Sequence, residues 1–136
     1  MMDIITFPRL LLDVFFLARA IEGEGCMTML QPQECATWLV HSVLNRSEKP
    51  WWPSSVREQV EKYYHGYRRI PIPSEEAVSY ALVALSQDKR VHPWHFMVSQ
   101  KDYDNHLEWD RDLIEKSFYN SDGTAMLHFL SDWPGG

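Results

Sequence analysis

Positive charge is in short supply in this chain: 13 Lys and Arg stand against 19 Asp and Glu, a formal net charge of −6. A protein that grips a nucleic-acid backbone neutralises phosphates with basic side chains, so a nucleic-acid partner is disfavoured. The Arg68-Arg69 pair is too small a patch to reverse that balance. Cysteine is scarce as well, and the two present, Cys26 and Cys35, lack the C-x-x-C spacing of a structural zinc site. They read either as a bridge across the loop between two helices, formed in an oxidising compartment, or as two small buried hydrophobes. A G-x-S-x-G elbow for a serine nucleophile is missing, and nothing around Cys26 activates it as one. Long uncharged apolar runs are missing too. Residues 4–21 come closest, but Pro8, Arg9, Asp13 and Arg19 interrupt them, so neither stable membrane insertion nor a clear cleavable leader is expected. The segment reads as a buried helix of the mature protein. There is no internal repeat and no low-complexity tract.

The 136 residues, 45% of them hydrophobic, suffice for one domain spanning 1–136 with a core of its own. Leu10, Leu11, Val14, Phe15, Leu17, Ala18 and Ile21 recur at three- and four-residue steps, which predicts a helix from about Arg9 to Glu22. The Gly23-Glu24-Gly25 stretch ends it, because glycine accepts the left-handed conformation of a helix exit. A second helix is expected from about Gln33 to Arg46 along Cys35, Trp38, Leu39, Ser42 and Val43. Ser55 and Glu58 fit a capping box opening a third helix, through about Tyr63, which Gly66 closes. Ser74 caps a fourth that carries Ala77, Val78, Ala81, Leu82 and Leu85. The aromatic-rich run 94–99 reads as a strand, and 127–130 as a second strand paired with it. Residues 104–118 between them read as a further helix. The expected class is therefore α+β, mainly α, with a small hairpin or sheet.

One local pattern carries chemistry. Leu17-Ala18-Arg19-Ala20-Ile21-Glu22-Gly23-Glu24-Gly25 is followed some twenty residues on by Ser42-Val43-Leu44-Asn45-Arg46. With Pro73-Ser74-Glu75-Glu76-Ala77 and His128-Phe129 downstream, this resembles the SleB/CwlJ-type cell wall hydrolases, over residues 15–130. The resemblance implies a lysozyme-like fold and cleavage of the N-acetylmuramic acid–N-acetylglucosamine bond of peptidoglycan, as a lytic transglycosylase or muramidase. The family's glutamate falls on Glu24. The chain departs from the family pattern at Glu22, where an aromatic or aliphatic residue is common, and at Cys26-Met27-Thr28, where a further acid is common.

A single carboxyl can suffice for such a reaction. The leaving oxygen must be protonated, and a carboxyl in a partly apolar cleft keeps its proton near neutral pH. Helical projection places Glu22 nearer the apolar face and Glu24 at its edge, so the choice of Glu24 comes from the resemblance. Asn45, Tyr67, Trp94 and His95 are candidate substrate contacts, although an Asn-Arg pair at a helix end also ties loops together and aromatic side chains also fill cores. His92, His95 and His106 lack a ligand spacing that would argue for zinc, and neither metal nor cofactor is expected. The alternatives are a non-catalytic glycan-binding or assembly module on the same fold, and an amidase or peptidase with a histidine metal site. A monomer acting on peptidoglycan in the periplasm or outside the cell is expected, from a bacterial or phage source.

Overall fold

The computed structural model describes residues 6–135. Its order is α1 (Thr6–Gly23), a 3-10 turn (Cys26–Thr28), α2 (Pro32–Ser47), α3 (Val56–Tyr63), a 3-10 turn (His65–Arg69), α4 (Glu75–Ser86), β1 (Phe96–Ser99), α5 (Gln100–Asn105), a 3-10 turn (Arg111–Leu113), β2 (Ile114–Tyr119) and β3 (Met126–Leu130). The fold is α+β and mainly helical, with one antiparallel sheet in the order β1-β3-β2. Among the described residues, no helix is long and apolar enough to cross a membrane.

Local chemistry sets most helix boundaries. Ser55 accepts from Glu58 N–H at 3.1 Å, and Ser74 accepts from Ala77 N–H at 3.1 Å. Each satisfies a donor that the first helical turn leaves unpaired. The reciprocal capping box occurs at α5 instead, where Ser99 and Asp102 bond each other's backbone N–H. Gly25, at φ +91°, turns the chain out of α1.

Helix α2 is the centre of the molecule. Its buried positions run almost all round it, from Cys35 through Leu39, Val40 and Val43 to Arg46. Helices α3 and α4 pack on both α1 and α2. The core face of α1 is Val14, Phe16, Leu17, Ala18, Ala20 and Ile21, whereas Leu11 and Phe15, expected on that face, are exposed. The helix is thus not buried all round, because the wide apolar surface inferred from periodicity exceeds what its neighbours cover.

The sheet separates two apolar clusters. Phe118, Leu127 and Phe129 join the helical core, while Val98 and Leu130 meet Tyr103 and the partly buried Trp109 on the opposite face. The expected pairing of 94–99 with 127–130 is present as Phe96↔Leu130 through Ser99↔Leu127. The expected helix over 104–118 is not. Residues 100–105 are helical, and 114–119 form a strand beside β3, with a register irregularity between Ile114 and Lys116. The turn at 120–124, where Gly123 has φ +74°, folds β2 back onto β3. The Asp122-Gly123 pair was the available signal for that hairpin.

Candidate active site

Glu24 lies one residue beyond α1, and its N–H still bonds the Ala20 carbonyl at 2.8 Å in helical fashion. Its side chain turns toward the 3-10 turn at 65–69, where Gly66 N–H donates to Oε1 at 3.3 Å. Three contacts hold that turn in place. Arg19 donates from Nε to the Ile70 carbonyl at 2.7 Å and from Nη2 to the Tyr67 carbonyl at 3.2 Å, and Arg69 donates to the Gly23 carbonyl at 2.6 Å. The approach of the two segments is so close that a Cβ on Gly23 would overlap the Gly66 carbonyl and come within 2.6 Å of Tyr67 N. Only two facing glycines permit it.

Glu24 borders a cavity of about 210 Å³ between the helical part and the sheet. Gly25, Thr28 and Met29 form one wall, and residues 99–101 and 124–127 form the other. Among the described residues, Glu24 is the sole carboxylate lining it. Loss of hydration raises its pKa above the ordinary carboxylate range, against the opposing pull of the Gly66 hydrogen bond and the Arg69 charge. A carboxyl so placed keeps its proton to higher pH and can donate it to a group in the cavity.

Glu22 is used differently. Its Oε1 accepts from the Ser74 backbone N–H at the start of α4, so this carboxylate fastens α1 to α4. Geometry thus separates two glutamates that helical periodicity leaves close together.

The remaining sequence-derived candidates lie away from this cavity. Asn45 donates from Nδ2 to the carbonyls of His92 (2.9 Å) and Trp94 (3.0 Å), and Arg46 Nε donates to the His95 carbonyl. The Asn-Arg pair therefore ties the 92–95 loop to α2. The Arg46 guanidinium is buried among Trp52, Tyr63, Tyr64 and Phe96, whose ring centroids lie 4.6–5.8 Å from it. Arg46→Lys keeps the charge but loses the planar group that stacks on these rings. It should lower stability by about 2 kcal/mol, read as a lower urea midpoint. His95 stacks on Trp52 at 5.0 Å and, with Asn45, borders a separate concavity of about 460 Å³. Tyr67 packs on Arg19 and Phe16. Trp94 and Tyr67 border none of the cavities described here. A larger concavity of about 690 Å³ lies beside the start of α2 and Tyr80. The carboxylates of these two larger hollows, Glu48 and Glu34, are exposed and paired with Arg90 and Lys116.

The histidines considered for metal binding act separately. His92 accepts from Trp94 N–H at Nδ1 (3.0 Å), so Nε2 carries the proton donated to the Trp38 carbonyl (2.8 Å). His106 stacks on Trp109 at 4.1 Å. Among the described residues no group of three His, Cys, Asp or Glu could hold a metal ion. Burial lowers the His92 pKa from 6.5 to about 4. Between those values the unfolded chain binds a proton that the folded one refuses. The stabilisation is therefore complete above pH 6.5 and is lost as the pH falls through 4. His92→Gln should remove up to about 3 kcal/mol of the stability loss that wild type shows across this window, read by thermal unfolding at a series of pH values.

Residues 99–101, on the cavity wall, drew no attention as site residues in the sequence. The Ser99-x-x-Asp102 cap was the readable signal that a helix begins there. Comparison with protein-family models, with curated proteins and with solved structures finds no match to this chain.

Proposed function

We propose that the protein cleaves peptidoglycan glycan strands, with Glu24 as the general acid and then the general base. The observation that carries this reading is a single, poorly hydrated carboxylate with a raised pKa on the wall of a cavity between helices and sheet. The arrangement suits a lysozyme-like site, and the resemblance of the 17–25 and 42–46 segments to SleB/CwlJ-type hydrolases supports the choice of substrate.

In the proposed reaction, protonated Glu24 gives its proton to the glycosidic oxygen as the C1–O bond of N-acetylmuramic acid breaks. No second carboxylate lines the cavity among the described residues, so the substrate's own 2-acetamido oxygen closes on C1 in its place. Ionised Glu24 then removes the proton from the sugar's 6-hydroxyl, whose oxygen displaces the acetamido oxygen and forms a 1,6-anhydro ring. Water in place of that hydroxyl gives a reducing end by the same steps. Digestion of purified sacculi followed by mass spectrometry of the muropeptides tests the reading, since release of either product must depend on Glu24.

A further inference from the structure

Cys26 and Cys35 are both fully buried, and their sulfurs lie 2.7 Å apart. Cys26 opens the 3-10 turn two residues after Glu24, and Cys35 sits in the first turns of α2. The nine-residue separation encloses Thr28 and Met29, which line the same cavity as Glu24. Most of that segment's other bonds are local, including Thr28 N–H to the Gly25 carbonyl (3.2 Å), Met29 N–H to the Cys26 carbonyl (3.1 Å) and Cys35 N–H to the Gln31 carbonyl (3.0 Å), while Leu30 N–H to the Tyr119 carbonyl (2.8 Å) and the exposed Glu34–Lys116 ion pair (3.3 Å) tie it to β2. No third ligand stands near to make the pair a metal site among the described residues.

We infer that Cys26 and Cys35 form a disulfide when the chain folds in the presence of a small disulfide oxidant, and that this bond pins the cavity wall beside Glu24 to α2. Full burial keeps an oxidant from either sulfur in the finished fold, so the bond is made during folding. One cysteine thiolate attacks the oxidant's disulfide and expels one thiolate, leaving a mixed disulfide. The second cysteine thiolate then attacks the first cysteine's sulfur and expels the other thiolate. The two cysteines lose two protons and two electrons, and the oxidant is reduced to two thiols. The desolvation that raises the Cys26 pKa also makes its unbridged thiol a poor nucleophile, in keeping with a structural role. The bond stands apart from the proposed function, and only its effect on cleavage rests on that reading.

The test refolds the full chain in a mixture of reduced and oxidised glutathione, then unfolds it in guanidinium chloride containing iodoacetamide for mass analysis. The expected product is a monomer two hydrogens lighter than the reduced chain, with no carbamidomethyl group. It should melt about 10 °C above the chain refolded in dithiothreitol, a difference absent from the Cys26→Ala/Cys35→Ala double variant. Two carbamidomethyl groups, or disulfide-linked dimers in place of the internal bond, would overturn the inference. A bond whose reduction leaves the melting temperature unchanged would overturn the pinning. Mass analysis of Glu24→Gln separates the two readings, because it should carry the bond while releasing no muropeptide. Muropeptide release by that variant at the wild-type rate sinks the function and leaves the bond standing.

Discussion

Glu24→Gln should lower muropeptide release from sacculi by about a thousandfold, the scale expected when a positioned general acid is removed. Glutamine is nearly the same size and can still accept from Gly66 N–H, so the loss would be chemical rather than architectural. The variant should also be slightly more stable than wild type near neutral pH. Net desolvation raises the folded-state pKa of Glu24, so its ionised form is held at a cost that grows as pH rises through that pKa. Glutamine removes that cost. Wild-type activity should fall over the same rise in pH, because the proton donor is lost. Glu22→Gln is the matched control. It weakens the acceptor for Ser74 N–H and should lower the melting temperature while leaving cleavage near the wild-type level. Equal loss in both variants, or full activity in Glu24→Gln, would remove Glu24 from the chemistry.

Gly66→Ala should be strongly damaging. Its backbone is not in the left-handed region, so the effect is one of space. A Cβ there would overlap the Gly23 carbonyl, which is backbone and cannot rotate away. Helix α1 and the 65–69 turn would have to separate. That would stretch the Arg69–Gly23 bond and the Gly66–Glu24 bond together. The expected cost is about 3 kcal/mol, visible as a lower urea midpoint, with loss of cleavage activity in the protein that remains folded. Gly123→Ala offers the contrast, since its φ of +74° disfavours alanine but nothing lies within 4 Å of the added carbon. It should cost about 1 kcal/mol and leave activity near wild type. If Gly66→Ala proved as mild as Gly123→Ala, the close approach would not be holding the site.

The cysteine pair and Glu24 belong to the same small region. Gly66 and Arg69 hold Glu24 against the helical part, while Cys26 and Cys35 flank the segment that brings Thr28 and Met29 to the same cavity. The Asn45 and Arg46 contacts act further off, fixing the loop that leads into β1. That loop delivers the chain to residues 99–101 on the cavity's far wall. The 42–46 segment can therefore serve the site without touching anything bound there.

By itself the sequence determined the features that depend on neighbours along the chain. The helix starts at Ser55 and Ser74, the glycine exit from α1 and the short apolar strands follow from side-chain caps, backbone freedom and periodicity, which act over a few residues. Tertiary structure decided what depends on partners distant in sequence. Strand β2 reads as charged and mixed, and it becomes a strand because β3 offers it a ladder. Glu22 and Glu24 are chemically alike, yet one meets Ser74 N–H and the other a poorly hydrated cavity. Gly66 reads as a helix stop in the sequence, but its use is to admit Gly23, distant along the chain. Solvation and steric clearance belong to surfaces brought together by folding, which no spacing of residues along the chain encodes.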